Sequence, residues 1–221
     1  ILDSGVKPEY TYVVGSPMAE VLNANIDKIN RSTILQQLGL EAGKYILLSA
    51  HREENIDIED NFISLMTAVN TMAETYNMPI LYSCHPRSQK IIASRKFEFD
   101  KRVIKHQPLG FFDYNKLQQN AFCVVSDSGT LPEESAYFKF PAVSVRTSTE
   151  RPEAMEKGVF TVGSITAEQV LQAVDLAVNM HANGDDAESV QAYSDDNVSI
   201  KVVKIIQSYT SIINRMVWRK S

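Results

Sequence analysis

The 221 residues are 44% hydrophobic and 22% charged, the composition of an ordinary globular chain. A formal net charge of −5 and a pI near 5.4 argue against a general nucleic-acid binder, which needs a basic face. No apolar run approaches the roughly 18 residues that cross a bilayer, so no membrane span is expected.

The chain begins at Ile1 without an initiator Met, and residues 1–16 complete no recognisable domain. They read as an interdomain lead-in to a fragment or processed product. Residues 17–38 carry helical periodicity. Ile46–Ser49 is a short continuous apolar run, the pattern of a strand buried on both faces. From Asp57 to Tyr76, Phe62, Leu65, Met66, Val69 and Met72 recur at spacings of three and four, which predicts a helix with one stripe on a sheet and Asp60 or Asn61 near its cap. Ile80–Ser83, Phe122–Val125 and Ala142–Val145 repeat the buried-strand pattern. Val103–Ile104 and Val159–Val162 are weaker versions of it. Phe111, Phe112 and Tyr114 follow Gly110 and open a short helix, and Pro152 suits the first turn of another that ends by Gly158. Residues 166–181 are helical, 182–197 form a polar turn-rich linker, and Val198 to Trp218 returns to helical periodicity.

Short strands alternating with helices predict βαβ crossovers and a parallel sheet. Ligands of such sheets lie beyond the carboxyl ends of the strands. The unusual polar residues fall there: His51-Arg52-Glu53-Glu54, Ser83 to Arg87, Ser126 to Thr130, and Arg146 to Arg151. Cys84 and Cys123 sit in or beside apolar runs with no Cys-x-x-Cys spacing, as buried thiols of an intracellular fold do, and no metal site is expected.

Asp127-Ser128-Gly129-Thr130 turns from a strand into a helix, where backbone N–H groups and the helix N-terminus favour a phosphate. Glu134 follows one turn later, placed to accept hydrogen bonds from ribose hydroxyls. The plain alternative is a simple turn with Glu133 and Glu134 as residues favoured by the helix dipole. His51 suits a phosphate contact or a proton exchange near neutral pH, or is a surface histidine in a charged loop. Arg151 either aims its planar fork at a sugar diphosphate or pairs with Glu150 or Glu153.

Three blocks, Ala50-His51-Arg52-Glu53-Glu54, Ser126 to Glu134 and Thr149-Glu150-Arg151-Pro152-Glu153, resemble in order and spacing the signatures of the non-hydrolysing UDP-N-acetylglucosamine 2-epimerases, over roughly residues 10 to 180. The wording of residues 51–57, 85–88, 110–114 and 146–152 resembles the branch that makes UDP-N-acetyl-L-fucosamine for capsule and O-antigen polysaccharides. The resemblance implies an α/β, Rossmann-like parallel sheet with flanking helices, the C-terminal half of a GT-B-like two-domain fold. Residues 17–181 would hold UDP, and the helix in 198–221 would pack back on an N-terminal domain outside this sequence.

Carried over by position, the resemblance implies His51 at the diphosphate and as this chain's catalytic residue, and Tyr114 near the uracil. It implies Ser128, Gly129 and Thr130 as the phosphate turn, Glu134 on the ribose and Arg151 at the sugar diphosphate. Arg52 and His85 match positions that bind a second, regulatory UDP-sugar in some relatives, and Leu109 stands where some have Gln beside the uracil. The implied chemistry is elimination of UDP across C1 and C2 and its return to the other face, with neither NAD nor a metal, in a cytoplasmic enzyme that is a homodimer at full length. The main proton-transfer carboxylates would belong to the other domain. A GT-B glycosyltransferase domain and a non-catalytic UDP-sugar-binding module are the competing readings.

Overall fold

In the computed structural model, which describes residues 5, 11–146, 151–185 and 190–220, every apolar run read as a strand joins one parallel sheet. The chain opens with α1 (Met18–Arg31) and α2 (Ile34–Leu38), followed by β1 (Ile46–Ser49), α3 (Glu53–Ile56) and α4 (Glu59–Tyr76). Next come β2 (Ile80–Ser83), α5 (Pro86–Arg95), β3 (Val103–His106), α6 (Phe111–Asn120) and β4 (Cys123–Ser126). The remainder is α7 (Leu131–Phe138), β5 (Ala142–Ser144), α8 (Pro152–Met155), β6 (Thr161–Val162), α9 (Ala167–Ala182), α10 (Gln191–Ser194) and α11 (Val198–Met216).

The six strands lie in the order β3-β2-β1-β4-β5-β6, each pair parallel. This is the Rossmann-like α/β arrangement. Because alternate strand residues point to opposite faces, Ile46 and Leu48 join Tyr82, Val125 and Val143 on one side, where the α4 stripe of Phe62, Leu65, Met66 and Val69 covers them together with Val170 and Val174 of α9. Leu47, Leu81 and Val124, between those positions, are equally buried on the other side. Strands β1 to β5 each end in a polar residue at the same edge of the sheet.

Three local differences from the sequence reading have physical causes. The helical stretch 17–38 divides at Ser32, whose hydroxyl donates to Asp113 at 2.5 Å rather than continuing the helix. Neither Asp60 nor Asn61 caps α4: Ile58 occupies the N-cap, and the Asn61 amide instead donates to the Glu54 carbonyl at 2.8 Å. The stretch read as a linker contains the one-turn α10. Cys84 and Cys123 are free and buried, and burial pushes both thiols up.

The chain divides into two compact units, residues 25–188 and residues 1–24 with 189–221, the boundary falling within α1. In the smaller unit the Ser16 N–H donates to the Ala192 carbonyl at 2.6 Å, and Lys201 pairs with Asp195 at 2.5 Å. Glu20 accepts both the backbone N–H and the hydroxyl of Ser199, and these bonds hold its carboxyl below the usual range. Gly15 has a φ of 91°, and a side chain there would meet the Asp195 carboxylate at 2.8 Å, so only glycine fits. Along α11, Val203 and Ile206 are exposed, as are Val217 and Trp218 just past its end. Among the described residues no helix is long and apolar enough to cross a membrane.

Candidate functional site

The strand order reverses between β1 and β4: the chain passes outward through β2 and β3, then returns to lay β4 on the other side of β1. Loops leaving β1 and β4 therefore diverge, and the crevice between them is the natural ligand position in such a sheet. The two strand ends are flush, with Ser49 opposite Ser126.

Asp127, the first residue after β4, ties these loops together. Its side chain is fully buried. Oδ2 accepts from the backbone N–H groups of His51 at 2.9 Å and Arg52 at 2.8 Å, and from the Asn55 amide at 3.1 Å. Oδ1 faces His51 Nδ1 at 3.2 Å. Arg52 Nε donates to the Asp127 carbonyl at 2.9 Å, and Asn55 also donates to the Val145 carbonyl at 2.9 Å, which reaches the β5 loop.

Beyond Asp127 the chain makes a tight turn. Ser128 N–H donates to the Ser126 hydroxyl at 3.0 Å, and the Ser128 and Thr130 hydroxyls lie 3.0 Å apart. Gly129 has an ordinary backbone, and a Cβ there would have only Arg52 within contact range, at 3.9 Å. Its missing side chain thus leaves open room over the turn. Thr130 is the N-cap of α7, and its hydroxyl donates to Glu134 Oε1 at 3.1 Å. Gln118 of α6 donates to the other oxygen, Oε2, at 2.6 Å. Glu134 is buried, and that burial pushes its carboxyl up. The Gln118 and Thr130 bonds oppose the rise, and the charge of Glu133 adds to it. Glu133 pairs with Arg151 at 2.9 Å, and Arg151 also lies 3.7 Å from Glu153.

The structure thus sets His51, Arg52, Ser128, Gly129, Thr130, Glu134 and Arg151 along a single edge of the sheet, joined partly by these contacts and partly as chain neighbours. His85 caps α5 by accepting the Arg87 N–H at 3.3 Å, and its ring lies 6.4 Å from that of His51. Arg87 pairs with Glu53 at 2.7 Å and with Asp57, which ties the β2 loop to α3. Tyr114 reaches the same strand ends, its phenol close to Ser49 and Ser126; burial raises that phenol, and the charge of Glu134 adds to the rise. Residues Thr147, Ser148, Thr149 and Glu150 of the predicted β5 loop lie outside the described residues.

Asp127, Asn55, Gln118 and Glu133 were not singled out as site residues by the sequence. Their partners lie 16 to 90 positions away, so only the fold shows the bonds. The His51 and Arg151 side chains are 46% and 35% exposed. A cavity of about 340 Å³ lies among Gly39, Glu41, Lys44 and Tyr76, and one of about 480 Å³ among Arg146, Gly163, Ser164 and Gln172. Neither is lined by His51, Ser128, Glu134 or Arg151.

A parallel sheet with this strand order defines a Rossmann-like α/β domain, and this one carries a donor-rich turn and buried carboxylates at its switch point. The model of the UDP-N-acetylglucosamine 2-epimerase family matches residues 1–207, and the chain belongs to that family. A UDP-N-acetylglucosamine 2-epimerase of Methanocaldococcus jannaschii is 26% identical over 196 residues, 83% of this chain and 52% of the relative. The solved structure of UDP-N-acetylglucosamine 2-epimerase from Rickettsia bellii is 35% identical with a TM-score of 0.88, covering 99% of this chain and 59% of that one. The Methanocaldococcus jannaschii enzyme in complex with UDP-GlcNAc and UDP shares the fold at a TM-score of 0.83 and 23% identity, covering 94% of this chain and 57% of that one. The chain spans about half the length of the curated relatives it matches.

Proposed function

We propose that this chain is the UDP-holding portion of a UDP-N-acetylhexosamine 2-epimerase. The observation that carries the proposal is the meeting of His51, the Ser128-Gly129-Thr130 turn, Glu134 and Arg151 at the switch point, in a chain of this family. The turn and the N-terminus of α7 supply backbone donors for phosphate oxygens. Glu134, held by Gln118 and Thr130, accepts from the ribose. Arg151, steadied by Glu133, meets the diphosphate. Tyr114 lies beside the base, and Arg52 and His85 border a second, regulatory UDP-sugar.

In this reading a base removes the C2 proton while UDP leaves C1, giving a glycal, and UDP then returns with the proton delivered to the opposite face. Donors aimed at the departing diphosphate stabilise its growing charge. Keeping UDP bound makes its return effectively intramolecular. The proton-transfer carboxylates belong to an N-terminal domain outside this chain, which closes over the open edge and receives the apolar stripe of α11. The 221 residues alone therefore bind UDP without epimerising. The full protein is a cytoplasmic homodimer, and the wording of residues 51–57, 85–88, 110–114 and 146–152 supports UDP-N-acetyl-L-fucosamine as product, for capsule or O-antigen polysaccharide.

The test is incubation of the full-length protein with candidate UDP-N-acetylhexosamines in deuterated water. Deuterium at C2 together with the 2-epimer is expected. Transfer of the sugar to an acceptor with C2 unlabelled would overturn the reading in favour of a glycosyltransferase.

A further inference from the structure

We propose that Asp127 is a positioning residue that fixes His51 as its Nδ1–H tautomer and presents Nε2 outward as the ring position that exchanges a proton with a bound anion. The inference rests on the reading that places His51 at the diphosphate. It begins with a counting argument on one buried carboxylate. Oδ2 accepts three N–H bonds, from His51, Arg52 and Asn55. Oδ1 is buried and makes no hydrogen bond among the described residues, and the His51 ring is its polar neighbour, with Nδ1 3.2 Å away. A bare Nδ1 would set its lone pair against those of a buried carboxylate oxygen, so the hydrogen sits on Nδ1 and faces Asp127.

The same contact sets the direction of the ring. Asp127 is fully buried, whereas the His51 side chain is 46% exposed. Nε2, on the far side of the imidazole from Nδ1, therefore lies on the open side. A neutral ring offers a lone pair there. A ring that has taken up a proton donates from both nitrogens, inward to the carboxylate and outward to an anionic oxygen, and the buried charge of Asp127 compensates the cation. A histidine held this way has one defined hydrogen-bonding face towards the crevice, by the logic that a carboxylate behind an imidazole selects its tautomer.

Asp127→Asn inverts the arrangement without emptying it. An asparagine has a single oxygen, which the three N–H donors claim at the Oδ2 place. Its NH2 then points at Nδ1, which must become an acceptor, so the hydrogen moves to Nε2.

The experiment uses the 221-residue chain labelled with 15N-histidine. The chain has four histidines, and His51→Gln assigns the His51 signals by their disappearance. Two-bond 15N–1H correlations then report which nitrogen is protonated. The expected result is the Nδ1–H form in the unaltered chain and the Nε2–H form in Asp127→Asn. An Nε2–H ring in the unaltered chain overturns the inference, even if the variant fails to fold. An Nδ1–H ring that survives in a folded Asp127→Asn overturns it equally. UDP is then added as the probe. Signals of His51 that move with UDP support the diphosphate assignment, and signals that stay still refute that assignment while leaving the tautomer result intact.

Discussion

Replacing Asp127 with alanine is the most demanding test of the switch-point architecture. The change strips one acceptor from three donors at once: the fully buried Asn55 amide and the part-buried N–H groups of His51 and Arg52. A buried donor left unmatched costs about 1–3 kcal/mol. Taking about 2 kcal/mol for Asn55 and about 1 kcal/mol for each part-buried amide gives about 4 kcal/mol, from which water entering the small void recovers some. The expected loss is about 3–4 kcal/mol, a large share of the total stability of a domain. Asp127→Asn keeps one oxygen for all three donors and should lose only about 1 kcal/mol. Urea unfolding of the three proteins, with a constant dependence on denaturant, measures the difference. Hydrogen exchange at the His51 and Arg52 amides separates local opening of the loop from global unfolding. Should alanine cost less than about 1 kcal/mol and leave both amides protected, the claim that Asp127 clamps the β1 and β4 loops is wrong.

Three further substitutions separate ligand contact from scaffolding. Gly129→Ala meets only the Arg52 guanidinium, at an ordinary 3.9 Å contact, so stability should change by no more than about 0.5 kcal/mol while UDP affinity falls about tenfold or more; calorimetry with UDP and thermal unfolding check the two halves. Glu134→Gln should weaken UDP binding about 10- to 100-fold, the range of a lost charge-assisted bond. Because burial holds the Glu134 carboxyl above its usual range, its ionised form opposes folding at neutral pH, and wild type regains stability as pH falls through the folded pKa. The glutamine variant should therefore melt higher than wild type near neutral pH, with the gap closing on acidification. Gly163→Ala would push a methyl to 2.9 Å from Val143 Cγ1 and 3.1 Å from Ala173 Cβ, and should cost about 1–3 kcal/mol in urea unfolding with no direct effect on UDP.

Much of the sheet was legible because four-residue apolar runs such as Ile46–Ser49 and Ile80–Ser83 are buried on both faces and leave no alternation to misread. β3 was faint for the opposite reason: as an edge strand it leaves Ile104 and Lys105 exposed, so its apolar run is only Val103-Ile104. The division between α1 and α2 depends on Ser32 meeting Asp113, a partner 81 residues away that no local pattern encodes. At the site the ligand-type residues announced themselves as polar letters after apolar runs. The groups that hold them did not. Asp127 looks like one more turn residue, Asn55 lies inside a one-turn helix, and Gln118 sits in the last turn of α6, where an amide is unremarkable. Their roles exist only once β1, β4 and α6 come together.

The central claim is that the loops at the strand tips converge on a nucleoside diphosphate, and the most direct measurement is a titration of the 15N-labelled chain with UDP. The account predicts saturable changes centred on His51, Ser128 to Thr130, Glu134 and Arg151, with Gly39, Lys44 and Asn77 at the opposite end of the sheet unaffected. A spectrum unmoved at millimolar UDP, or changes gathered around Gly39 and Lys44 instead, would contradict it.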